Sequence, residues 1–134
     1  MSLEIPLGAQ ATQQYTVGAE HLALSWHSGA AQVLATPQMI GWMEAAAVAA
    51  VDHLLPAGYS TVGTALDVHH LAATIQGVLV TIRATLVAQE NKLLTFEVEA
   101  HDENGLVGRG THQRYIVELE RFEARARARA AGIS

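Results

Sequence analysis

Cysteine is absent from the 134 residues, which excludes disulfides, thiolate metal sites and a cysteine nucleophile. Cations are scarce: eight Lys and Arg stand against thirteen Asp and Glu, for a formal charge of −5. Nucleic acid demands a basic face, so none is expected as a partner. Charged residues of both signs make up only 16% of a chain that is half hydrophobic, a composition that folds rather than stays disordered. The longest apolar run is interrupted by Glu44 and Asp52 and falls short of the roughly 20 residues that span a bilayer. No basic-then-apolar leader opens the sequence, so the expected location is cytoplasmic, with no membrane partner. His21, His27, His53, His101 and His112 lack metal-ligand spacing, and no metal is predicted. The length suits one domain over 1–134, with 1–11 a loose lead-in and 119–134 a helical tail.

Proline is also rare, with three in the chain, and two of them punctuate the one long helical pattern. Thr36-Pro37 reads as a helix start, with a hydroxyl at the N-cap and a proline at the first turn. Pro56 and Gly58 end the pattern, giving a helix at about 37–55. Before it, Gln13–Val17 suggests a short strand, Ala19–Ser28 is ambiguous and Gln32–Ala35 is extended. After it the period falls to two. Strands are expected over 61–71, 78–88, 93–101 and 106–119. Turns are expected at Gln89-Glu-Asn91 and Asp102-Glu-Asn-Gly105, where Asn-Gly supplies positive φ angles. A short charged helix follows at 118–131. The predicted class is α+β, with one long helix and a meander of four antiparallel strands that wraps it. Edge strands left by so short a sheet need cover, which predicts a homodimer; whether dimers pair into tetramers is left open.

Glu44 is the lone ionisable group in the stretch Pro37–Val51, where Ala, Met and Val occupy every side. The sequence therefore places this carboxylate in an apolar setting, where it needs a partner, a raised pKa or a function. Eight residues separate it from Thr36, about 12 Å along a helix axis, so a third group has to stand between or beside them. His70 is the candidate, on the strand face shared with Leu66 and Val68 that is taken to cover the helix. A hydroxyl, an imidazole, a carboxylate and the free N–H groups around Pro37 to Met39 together describe acyl transfer or hydrolysis. Plainer readings stand beside this one. Thr36 is an ordinary N-cap, Glu44 pairs with an Arg from the sheet, and His69 or His70 is structural. Asp52 and His53 read as solvated helix-end groups. Arg109 and Arg114 point to opposite faces of their strand. Arg121, Arg125 and Arg129 repeat at i, i+4 along the tail as a solvated face or a contact for a phosphorylated ligand.

The segments Ala35-Thr-Pro37 with Met43-Glu44, then Thr61-Val-Gly-Thr64, Asp67-Val68, His70 and Ala72-Ala-Thr74, and finally Gly108-Arg-Gly-Thr-His112 with Arg114, resemble the fluoroacetyl-CoA thioesterase-like family. The resemblance covers about 30–118. It implies the hot-dog fold, a central helix wrapped by one antiparallel sheet, working as a dimer. It also implies an acyl-CoA substrate, with CoA part of the substrate and no separate cofactor. By position, Thr36 is similar to the hydroxyl at the acyl carbon, as nucleophile or water-orienting group. Glu44 is similar to the helix carboxylate and His70 to the base, while Gly63 and Arg114 resemble substrate-contacting positions. Fluoroacetyl-specific members cover their acyl group with aromatic side chains before the helix. The stretch Gly29-Ala-Ala-Gln-Val33 has no Phe, so a different small or medium acyl group is expected. Two other activities fit the same residues: enoyl-thioester hydration or dehydration, and non-catalytic binding of acyl-CoA by a dimer.

Overall fold

The computed structural model describes residues 2–133. Its elements are β1 (Gln10–Thr16), α1 (Thr36–Val51), β2 (Tyr59–His70), β3 (Leu79–Glu90), β4 (Leu93–Asp102), β5 (Gly105–Glu118) and α2 (Leu119–Ala130), with 3-10 turns at Ala19–His21 and Asp52–Leu54. The five strands form one antiparallel sheet in the order β1-β3-β4-β5-β2, wrapped around α1. This is the expected hot-dog arrangement of the α+β class.

Three differences from the sequence reading matter for the site. First, the four strands after the helix are not a simple meander. Only β3, β4 and β5 follow one another in space, and β2 pairs with β5 at the sheet edge. The chain from 71 to 78 therefore crosses to the far side of β4, and the Leu34 N–H donates to the Thr74 carbonyl on the way (2.8 Å). Second, β1 begins at Gln10, ahead of the expected strand, and Ile5 before it is already buried. Third, the β4–β5 turn puts positive φ on Gly105 (128°) but not on Asn104. That is the geometry of a turn with a glycine bulge rather than the tighter Asn-Gly form.

The helix is not wrapped on all sides. Met39, Met43, Ala46, Ala47, Ala50 and Val51 recur at helical spacing and are buried against Ile82, Leu86, Phe96, Val98 and Ile116 of the sheet. Fully burying a side chain such as Phe96 contributes roughly 1.5–3 kcal/mol. The opposite side of α1 carries Thr36, Ala45 and Ala49 exposed, with Ile40, Gly41, Glu44 and Val48 partly covered. The expectation that no face of α1 receives solvent is thus corrected for a single protomer: small residues on one side face outward.

Strand β2 has a matching open character. Its inward–outward alternation is broken by a bulge between Gly63 and Ala65. Before it, Thr61 and Gly63 face the helix. After it, Leu66, Val68 and His70 do, because they pair with His112, Gly110 and Gly108 of β5. Leu66 is inward-facing yet 43% exposed, since no further strand or helix covers that edge.

Candidate active site

The first turn of α1 positions Thr36. Ala35 takes the N-cap position in an extended conformation (φ −68°, ψ 136°), and Thr36 is the first helical residue with no capping bond from its side chain. The expected N-cap role of Thr36 is therefore not what its hydroxyl does. Its Oγ1 lies 2.7 Å from Nδ1 of His70. With the ring proton on Nε2, the imidazole accepts from the threonine O–H; with it on Nδ1, the imidazole donates to the threonine oxygen.

His70 closes β2, half-buried. Burial lowers its pKa, and the nearby Ala72 backbone partly opposes that shift. Nε2 nevertheless has no hydrogen-bond partner among the described residues. That nitrogen is buried, so the ring presents Nδ1, beside the Thr36 hydroxyl, as its base when the proton is on Nε2. The pair opens onto a cavity of about 280 Å³ lined by Ala23, Ser28, Ala72 and Ala73 together with Val33, Leu34 and Leu71. Around the helix start, Pro37 has no N–H and the Met39 N–H is bonded to the Ala35 carbonyl (3.0 Å). Of the donors expected at 37–39, only Gln38 is left, joined by Thr36, for an oxyanion.

Glu44 sits in a second cluster. Its side chain is 40% exposed and lies 3.7 Å from Nη1 of Arg114, which is buried. The sequence-based expectation of a buried carboxylate is corrected, and the reading that Glu44 meets an arginine from the sheet holds. Gly63 makes room for it: a Cβ there would stand 2.9 Å from Glu44 Oε2, 3.3 Å from the His112 ring and 3.5 Å from Arg114 Nη1. No larger residue fits without displacing the carboxylate.

Arg114 is held from several sides. Nε donates to Thr61 Oγ1 (2.8 Å), Nη2 to the Thr61 carbonyl (2.9 Å) and Nη1 to Nε2 of His112 (3.1 Å). Thr61 in turn donates to Asp52 Oδ1 (2.7 Å), and the Ser60 hydroxyl donates to Oδ2. Burial lowers the arginine pKa, while the carboxylates of Asp52 and Glu44 push it back up; a guanidinium stays charged in any case. His112 is fully buried, its Nδ1–H donating to the Ala65 carbonyl (2.9 Å). With Arg114 donating to Nε2, the ring is fixed neutral. Burial lowers its pKa first of all, the Ala65 backbone raises it, Arg114 lowers it and Glu44 raises it.

The structure thus joins Thr36 with His70, and Gly63 with Glu44 and Arg114, but it does not join the two groups within one protomer. The rise of α1 separates Thr36 from Glu44 by about 12 Å along the axis. Asp52, Thr61 and His112 belong to the second cluster and were not singled out as site residues; Asp52, read as a solvated or helix-terminal group, is the C-cap of α1. One signal was present: His112 and Arg114 are two apart on a strand and must share a face. Another cavity, about 610 Å³, is lined by Leu3, Ile5 and Leu7 and shares no residue with either cluster. Among the described residues no group of three or more His, Asp or Glu is arranged to hold a metal ion. No helix among the described residues is long and apolar enough to cross a membrane.

Comparison with known proteins adds to this geometry. The family model described as fluoroacetyl-CoA-specific thioesterase (FlK) matches residues 17–120. The fluoroacetyl-CoA thioesterase of Streptantibioticus cattleyicolor is 43% identical over 96 residues, which are 72% of this chain and 69% of that protein. A solved structure of the fluoroacetyl-CoA thioesterase FlK superposes with a TM-score of 0.87 at 34% identity, covering 92% of this chain and 96% of that one. A hypothetical protein of Thermus thermophilus, described as a thioesterase superfamily member, gives 0.89 at 26% identity, covering 97% and 96%.

Proposed function

We propose a mechanism for this chain, which belongs to the fluoroacetyl-CoA-specific thioesterase family. The protein is an acyl-CoA thioesterase, a hydrolase. In our reading His70 is the base. It takes a proton from water, or from the Thr36 hydroxyl, as oxygen attacks the thioester carbonyl. The carbonyl oxygen becomes an oxyanion facing the N–H groups that begin α1, and collapse of the tetrahedral intermediate expels the CoA thiolate, which takes the proton back. If Thr36 is the attacking group, a second round with water releases the acid. The 2.7 Å contact between Thr36 and His70 is the observation that carries this assignment. The cavity of about 280 Å³ beside it favours a small or medium acyl group.

We further propose that the working unit is a homodimer, in which two β2 edges pair antiparallel and the open faces of two α1 helices meet. An uncovered edge strand and an outward stripe of alanine support this. So does the separation of the two clusters: Glu44, Gly63 and Arg114 of one subunit then complete the Thr36–His70 pair of the other. Glu44 is the supporting carboxylate that stabilises the imidazolium, and Gly63 and Arg114 are substrate-contacting. CoA enters as part of the substrate. We place the enzyme in the cytoplasm, as one domain, with neither nucleic acid nor membrane as partner.

A panel of acyl-CoAs assayed for released thiol tests the reading. Thr36→Ala, His70→Ala and Glu44→Ala are each expected to lower kcat/KM by about 100-fold or more. A wild-type protein no faster than these variants on every thioester would overturn it, as would loss of an enoyl-CoA chromophore without free thiol.

A further inference from the structure

A CoA thioester carries three phosphate groups, and this chain has only eight cations to meet them. Three are committed or badly placed. Arg114 is buried in its own network. Arg83 is paired with Glu99 at 3.3 Å. Arg109 lines an outer-face hollow with Asp67, Glu97 and Glu99, where the acids oppose an anion. The other five are Lys92, the only lysine, and four arginines of α2.

Three of those five converge. Lys92 in the β3–β4 turn and Arg121 and Arg125 on α2 line one cleft with Tyr59, Tyr115 and Phe122. Glu118 is the one carboxylate in the lining, and among the described residues none of the three cations is within salt-bridge distance of an acid. Like charges gathered without counterions repel, a cost that a bound anion removes. The cleft holds about 120 Å³, well below the volume that encloses a drug-sized ligand, so it suits an anchoring group rather than a whole nucleotide.

We infer that this cleft anchors a phosphate of the CoA thioester whose carbonyl is attacked in the partner subunit's Thr36–His70 site. The inference rests on the dimeric thioesterase reading above. Within one protomer the two places are at opposite ends of β2: Tyr59 pairs with Glu118, and His70 with Gly108. Eleven strand residues put them about 36 Å apart, too far for one ligand. Antiparallel pairing of two β2 edges reverses this. If Gly63 and Glu44 of one subunit meet His70 of the other, Tyr59 lies only four residues further on, about 13 Å, a span that the extended pantetheine arm can bridge. Arg121 and Arg125 fall just beyond the residues that the family model matches, while Lys92 lies within them.

The test compares three thioesters of one acyl group, carried on CoA, on 3′-dephospho-CoA and on N-acetylcysteamine, using wild type and the Lys92→Gln/Arg121→Gln/Arg125→Gln variant. The variant is expected to raise KM for acyl-CoA about tenfold, as loss of charge-assisted contacts does, with kcat within about twofold. KM for the N-acetylcysteamine thioester should not move. Added salt should raise the wild-type KM for acyl-CoA toward that of the variant. A variant effect lost on the dephospho substrate assigns the cleft to the 3′-phosphate, and one retained assigns it to the diphosphate. An unchanged KM for acyl-CoA, or an equal rise with the truncated substrate, overturns the inference. If wild type hydrolyses no thioester, the thioesterase reading fails by itself. CoA affinity measured by calorimetry then decides the cleft: weaker binding by the variant supports it and equal binding overturns it.

Discussion

Glu44 and Gly63 occupy one space: the carboxylate lies where a β-carbon on residue 63 would point, 2.9 Å from that position. Because α1 supplies the acid and β2 the gap, the helix–sheet spacing sets where the charge sits. Gly63→Ala is expected to leave the fold intact, as checked by circular dichroism, while displacing Glu44 toward solvent. Steady-state assays should show kcat lowered by about 10- to 100-fold, since small misplacements of reacting groups carry costs of that order.

The pH dependence follows from His70. Burial lowers its pKa, and the base must be neutral. Activity should therefore fall on the acid side, and because the partner subunit's Glu44 in the proposed dimer opposes the downward pull of burial, Glu44→Gln should move that midpoint lower. Profiles of kcat/KM between pH 4.5 and 8 for wild type and variant measure this, and a midpoint that stays put or rises in the variant would contradict it.

Stability should depend on acid in the same direction. His70 and His112 both have folded pKa values below the unfolded one. Above about 6.5 both states leave them neutral and their contribution is fully present. As pH falls below that, the unfolded chain takes up more protons, and stability is lost until the folded pKa values are passed. Urea midpoints at pH 7 and pH 5 should differ in favour of pH 7, and His112→Asn should narrow the difference.

Asp52 anchors the second cluster through Thr61 and Ser60. Asp52→Ala removes the acceptor for the half-buried Ser60 hydroxyl and the buried Thr61 hydroxyl and is expected to cost about 1–3 kcal/mol, read from denaturant unfolding. It also frees Arg114 on one side, so kcat should fall with it, whereas Asp52→Glu should restore part of both.

The open side of α1 is the remaining test. Ala49 is exposed in the protomer, so Ala49→Arg is tolerable within one subunit and obstructive between two. Sedimentation should give a dimer for wild type and a folded monomer for the variant, with activity lowered about 100-fold or more because the two halves of the site are parted.

The local parts of the site were legible in the sequence. Thr36 before proline, Glu44 in an alanine helix and His70 on an alternating strand all stood out, and Thr36 and His70 do meet. The buried stripe from Met39 to Val51 followed from helical spacing. What was not legible depends on pairing between distant segments. Plain alternation along β2 puts Gly63 and His70 on opposite faces, and only the register against β5 reveals the bulge that brings them to one side. Placing β2 at the sheet edge is likewise a decision of topology. The exposure of Glu44 was misjudged because a helix apolar on every side in sequence is not covered on every side by its own sheet: Ala45 and Ala49 face outward.

The irregularity between Gly63 and Ala65 makes chain length, rather than residue identity, the quantity under constraint in this part of the molecule. Outward side chains along β2 are free to vary. Gaining or losing a single position between 63 and 70 would instead rotate the imidazole out of the catalytic face, because strand parity reverses with every residue. In this enzyme a one-codon slip there would do what no ordinary point change at the same place could.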